Sequence, residues 1–101
     1  MELKELEMRM HTFVDSKGWY DADSPKRQSP RNLAISLAIE AAEVLEHFQW
    51  REEVIDRPAL AGELADIGLY LLQLASVSEI DLEQAILDKL AQNQDREWPE
   101  P

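Results

Sequence analysis

The 101-residue chain carries a formal net charge of -11, from 21 Asp and Glu against 10 Lys and Arg. Charge of that sign repels a phosphate backbone, so a nucleic-acid polymer is not an expected partner. Hydrophobic residues make up 45% and charged residues 31%, a balance that suits one folded domain over residues 1–101, and the lack of cysteine excludes disulfides, thiolate catalysis and zinc–thiolate centres.

The start, Met1-Glu-Leu-Lys-Glu-Leu-Glu, is charged and helical in pattern, unlike a signal peptide. From Glu2 to about Ser16, Leu3, Leu6, Met10, Phe13 and Val14 recur at helical spacing, and Lys17-Gly18 stops the helix. Trp19 to Ser29 is a turn-rich connection, long for a helical bundle and for that reason a place to look for function. Ser29-Pro30 reads as an N-cap followed by proline in the first turn, launching a second helix to about Phe48. Trp50 to Arg57 is a charged loop, and Pro58 opens a third helix running to about Val77. Asp81 and Gln84 suggest a capping box for a fourth helix to about Asp95, before Trp98-Pro99-Glu-Pro ends the chain. No strand pattern is present, so the expected fold is all-α with four helices. The uninterrupted apolar stretch near Ile67 to Leu72 is too short to cross a bilayer, so a cytoplasmic protein with no membrane partner is expected.

The third helix carries its polar residues on one stripe. Glu63, Asp66, Tyr70 and Gln73 share a face of an otherwise apolar segment, and Ser36, Glu40, Glu43 and His47 share a face of the second helix. Antiparallel packing would bring Glu40-x-x-Glu43 against Glu63-x-x-Asp66, with no Lys or Arg in either helix interior to neutralise them. Buried carboxylates need a counter-charge, and an all-oxygen set favours a hard cation, Mg²⁺ or Mn²⁺, that also shares phosphate oxygens. The second helix has a further apolar row, Ile35, Ile39 and Ala42, roughly opposite its Leu33, Leu37, Ala41, Val44 and Phe48 row. One small core cannot cover both rows, so self-association into a homodimer or homotetramer is expected.

The run Pro30-Arg-Asn-Leu-Ala-Ile-Ser-Leu-Ala-Ile-Glu40-Ala-Ala-Glu43-Val-Leu-Glu-His-Phe-Gln-Trp50, followed by Glu63-Leu-Ala-Asp66-Ile-Gly-Leu-Tyr70 and by Lys89, Asn93 and Arg96-Glu-Trp-Pro99, resembles the MazG-like all-α nucleoside triphosphate pyrophosphohydrolases. Within them it is similar to the dCTP pyrophosphatase-like branch. The resemblance implies a four-helix bundle that hydrolyses a nucleoside triphosphate between the α and β phosphorus atoms, in nucleotide-pool sanitation. It further implies that Glu40, Glu43, Glu63 and Asp66 hold Mg²⁺, that Lys89, Asn93 and Arg96 contact the triphosphate, and that Trp19 and Trp50 flank the base. Tyr70 is placed to bond a carboxylate or the sugar. A base-contacting histidine is expected near Met10 in cytosine-selective relatives; here the histidine is His11, one position on and on a different face.

Two other classes compete. A non-catalytic helical interaction module would use the same faces for packing alone, and a di-iron carboxylate bundle calls for Glu-x-x-His, whereas His47 stands four residues after Glu43.

Overall fold

The computed structural model describes residues 1–97 and Pro99; Trp98, Glu100 and Pro101, in the segment expected to end the chain, lie outside the described residues. It contains four helices, α1 (Leu3–Ser16), α2 (Pro30–Glu46), α3 (Arg57–Val77) and α4 (Leu82–Gln94), with no strand among the described residues.

The sequence signals for helix ends act as local chemistry requires. Ser29 Oγ accepts from the Asn32 amide at 3.2 Å with Pro30 in the first turn of α2, and Asp56 Oδ1 accepts from the Ala59 amide at 3.0 Å at the start of α3. Asp81 caps α4 through the Gln84 amide, 3.1 Å. The reciprocal half of a capping box is absent there, because the Gln84 side chain turns forward to Asp88 at 2.8 Å. At the end of α1, Gly18 takes φ 71°. Its amide donates to Asp15 O at 3.0 Å and the Trp19 amide to Val14 O at 3.4 Å, the bond pair of a Schellman motif. That motif turns the chain so that Trp19 packs back on the Met10, Val14 and Leu72 cluster.

Helices α2 and α3 form an antiparallel pair. His47 at the end of α2 touches Glu63 near the start of α3, and Gln28, just before α2, touches Gln73 towards the end of α3. Helix α1 lies against the C-terminal half of α3, where Met10, Val14 and Leu72 make a small core closed by Leu3, Trp19, Tyr20 and Leu82. The radius of gyration is 16.3 Å, against about 13 Å for a compact domain of 100 residues, so the chain is extended. The apolar row of α2 is open, with Ile35 45% and Ile39 55% exposed, and Ile86, Leu87 and Leu90 of α4 are likewise exposed.

By length and composition α3 is one helix that could cross a membrane. The expectation from the short Ile67–Leu72 stretch therefore does not hold on length alone, because Ala and Gly extend the apolar character of the helix. Its polar stripe gives the better account: Glu63 and Asp66 would be costly at bilayer depth, whereas here α3 is the central helix against which α1 and α2 pack.

Candidate active site

Helical periodicity delivers all four acids to one region. Glu40 is influenced by Glu43, Asp66 and Glu63 together, with Glu43 within side-chain hydrogen-bonding reach. Desolvation first, and then these neighbouring carboxylates, push the Glu40 carboxyl above the usual range. Its Oε2 is buried and has no hydrogen-bond partner among the described residues. An orphaned carboxylate oxygen facing three further acids is a position that fits a cation. Among the described residues no three His, Asp or Glu side chains converge closely enough to enclose an ion by themselves. The donor set is hard oxygen throughout, which fits a divalent ion that completes its shell with water and ligand oxygens.

His47 fixes one member of the set. Its Nε2 bonds Glu63 Oε2, and both side chains are largely shielded. Glu43, His47 and Glu63 line a cavity of about 360 Å³ that Arg51 also faces. Asp66 instead belongs to a larger cleft of about 680 Å³ bounded by α1, the Trp19–Ser29 connection, α2 and α3. Ser36 and Tyr70 lie on the same cleft as Asp66. Its volume is that of a small-molecule site.

Away from the acids the cleft is aromatic and cationic. Trp19 stands edge-on to Phe13, ring centroids 5.8 Å apart at 83°, and Lys26 Nζ lies 5.0 Å from the indole centroid. Arg9, Lys26 and Arg27 all line this cleft, so the cavity holds three cations in a protein whose net charge is -11. Ser24 is buried and accepts from the Lys26 amide at 3.1 Å, which fixes the connection at the point where it presents Lys26.

The other expected contacts are not gathered here. Trp50 is 93% exposed with φ 68° and lies off the cleft. Lys89, Asn93 and Arg96 line neither of these two cavities; Lys89 bonds Gln92 Oε1 at 3.0 Å along α4, and Asn93 Oδ1 is buried without a hydrogen-bond partner among the described residues.

His11 does not line the large cleft, whereas Met10 beside it does. The histidine is instead built into the fold, its Nδ1 2.5 Å from Tyr20 Oη and its Nε2 2.7 Å from Ser76 Oγ. Burial holds the Tyr20 phenol above its ordinary range, and it remains a proton donor.

No family model matches the chain. It is 34% identical over 98 residues to dCTP pyrophosphatase 1 of Mus musculus, and 36% identical over 98 residues to the Bos taurus protein of the same name; each match covers 87% of this chain and 55% of the relative. The chain thus spans about half the length of these curated relatives. The crystal structure of a pyrophosphatase from Archaeoglobus fulgidus superposes with a TM-score of 0.79 at 35% identity, covering 97% of this chain and 93% of that one. The chain belongs to the MazG-like, dCTP pyrophosphatase-type family.

As a member of that family the chain has two site features that sequence reasoning did not assign. The first is the grip of His47 on Glu63, which needed the inter-helix register to be seen. The second is Arg9. Its signal was present, since Leu6, Arg9 and Phe13 fall on one row of α1 and all three line the cleft.

Proposed function

We propose that this domain is a divalent-metal-dependent nucleoside triphosphate pyrophosphohydrolase. The observation that carries the reading is the juxtaposition of four carboxylates, one with an orphaned buried oxygen, and a cleft walled by an indole and three cations. Glu40, Glu43, Glu63 and Asp66 would hold Mg²⁺, with Mn²⁺ as a substitute. When bound, the divalent ion neutralises phosphate oxygens and lowers the pKa of water.

The residues of the chain supply the rest. His47 holds the Glu63 carboxylate in one orientation, as a hydrogen-bonded partner does for a metal-binding side chain. Trp19 forms a wall for the base, while Arg9, Lys26 and Arg27 offset the charge of a polyphosphate. Tyr70, between Asp66 and Gln73 on the cleft wall, is within the region where a sugar would lie. Water attacks the α-phosphorus, the bond to the α–β bridging oxygen breaks, and nucleoside monophosphate and pyrophosphate leave, with the proton of the water passing to a carboxylate.

Self-association belongs to the same reading. Open apolar rows on α2 and α4 and the extended shape of the single chain support a homodimer or homotetramer. In such an assembly Trp50, Lys89, Asn93 and Arg96, which stand away from the cleft of their own chain, would complete a site. The name dCTP pyrophosphatase of the mammalian relatives supports a deoxynucleotide substrate, and a role in clearing surplus or non-standard nucleotides from the cytoplasmic pool.

The test is a panel of nucleoside triphosphates with and without Mg²⁺, resolving pyrophosphate from orthophosphate. Mg²⁺-dependent pyrophosphate release that disappears in Asp66→Asn is expected. Orthophosphate as the product would defeat the bond assignment, and a folded protein inert to the whole panel would favour the interaction module.

A further inference from the structure

Among the described residues Gln73 is the most enclosed polar residue, 3% exposed, and it lies on the wall of the large cleft. Which end of its amide faces the cleft follows from a chain of hydrogen bonds. Gln28 Nε2 donates to the Lys26 carbonyl at 2.7 Å. A backbone carbonyl can only accept, so the Gln28 amide has one permitted orientation, and its Oε1 must be the atom facing Gln73. Gln73 Nε2 therefore donates to Gln28 Oε1, 2.7 Å away, and also lies 3.3 Å from Tyr20 Oη. The Tyr20 hydroxyl is in turn held between His11 Nδ1 at 2.5 Å and Met10 Sδ at 4.0 Å, and His11 Nε2 contacts Ser76 Oγ at 2.7 Å. Both amide hydrogens of Gln73 are consumed inside the protein.

What remains for a ligand is the carbonyl oxygen. No donor among the described residues reaches Gln73 Oε1, and it is not one of the sealed, partnerless oxygens, which are Glu40 Oε2 and Asn93 Oδ1. Because Gln73 lines the cleft and its Nε2 is turned inward to Gln28 and Tyr20, the carbonyl oxygen is the end left to face a ligand, and the Gln28 contact opposes a flip.

We propose that Gln73 is a specificity-determining residue that selects nucleobases carrying an exocyclic amino group, its amide locked by Gln28 and Tyr20 into presenting only an acceptor. The inference rests on the nucleotide reading of the cleft. An amino group satisfies the oxygen and brings no opposing lone pair. A keto group at the same ring position sets oxygen against oxygen and leaves two buried acceptors unpaired. The connection from Trp19 to Ser29 gains a role by the same logic, because it carries both Tyr20 and Gln28.

The experiment compares amino and keto partners in two pairs, cytosine against uracil and adenine against hypoxanthine. It measures kcat/KM for the deoxynucleoside triphosphates with Mg²⁺ and Kd for the monophosphates by calorimetry. The wild type should favour the amino member of at least one pair by about tenfold or more. Gln73→Met should bring that ratio to within about threefold of unity, largely through loss of the amino partner. Gln28→Met keeps Gln73 but frees its amide to turn, and should also reduce the ratio; it covers the case in which Gln73→Met does not fold by circular dichroism. A wild type indifferent to amino or keto, or variants that weaken both partners equally with the ratio intact, would overturn the assignment. Failure of turnover in every arm would instead strike the pyrophosphohydrolase reading, and the Kd ratios for monophosphates would still decide the part played by Gln73.

Discussion

Replacing Glu40 by Gln separates what the acidic cluster does for the fold from what it does for chemistry. Glu40 is repelled by Glu43, Asp66 and Glu63, and its buried Oε2 is unpaired. A like-charged neighbour at i, i+3 on one helix, as Glu43 is, costs about 0.2–0.5 kcal/mol, and with the two α3 carboxylates adding repulsion across the helix pair the relief is on the order of 1 kcal/mol. In a domain of about 100 residues that corresponds to a rise of about 4–8 °C in Tm. The Gln amide can also donate to a neighbouring carboxylate, which Glu40 does only when protonated. The gain depends on pH in a defined sense. The folded-state carboxyl of Glu40 lies above its unfolded value, so its penalty is complete above the raised pKa and vanishes as pH falls through that value towards and below the ordinary carboxyl range. Glu40→Gln should therefore be more stable than wild type at neutral pH without divalent ions, and the difference should close on acidification. Adding Mg²⁺ should reverse the ranking, raising the Tm of the wild type more than that of the variant by preferential binding to the native state. Pyrophosphate release should fall by about 100-fold or more. Scanning calorimetry at fixed protein concentration, from pH 4 to 8 and with and without Mg²⁺, reads the first effects. An unchanged Tm together with an unchanged Mg²⁺ response would refute the argument that these acids form a repulsive, cation-seeking group.

Three further outcomes are expected. His47→Ala should leave Glu63 unoriented, lowering kcat by about 10–100-fold and moving Mg²⁺ half-saturation upward, measured by metal titration of the rate. Gly18→Ala should destabilise the chain by about 1–2 kcal/mol in urea unfolding, because φ 71° is unfavourable for a Cβ, which would also stand 3.1 Å from Asp21 Oδ2. Ile39→Asp, on the open row of α2, should shift the protein towards monomer in sedimentation velocity while helical circular dichroism is retained.

The helices and their ends were legible because they depend on near neighbours. Ser29 and Asp81 cap through bonds to residues three positions on, and Lys17-Gly18 marks the stop that becomes a Schellman turn, whereas the cap at Asp56, one residue before the helix that Pro58 announced, was seen only in the structure. The acidic group was legible for a related reason: each helix carries one narrow polar stripe within apolar surroundings, and in the structure the two stripes face each other. Histidine roles were not. His47 could face Glu43 or Glu63 until the register of α2 against α3 was known, and although the sequence placed His11 on a different face from Met10, its partners Tyr20 and Ser76 lie outside its helix and no local spacing names them.

By itself the sequence determined four helices, their termini, the acidic stripes and the lack of cysteine chemistry, since each follows from spacing along one chain. Only the tertiary structure decided that Gln73 meets Gln28 and Tyr20, that His11 bonds Ser76, and that Arg9, Lys26 and Arg27 converge. Those contacts join residues from separate elements, and hydrogen-bond direction across them depends on the positions of several side chains at once, which no local period records.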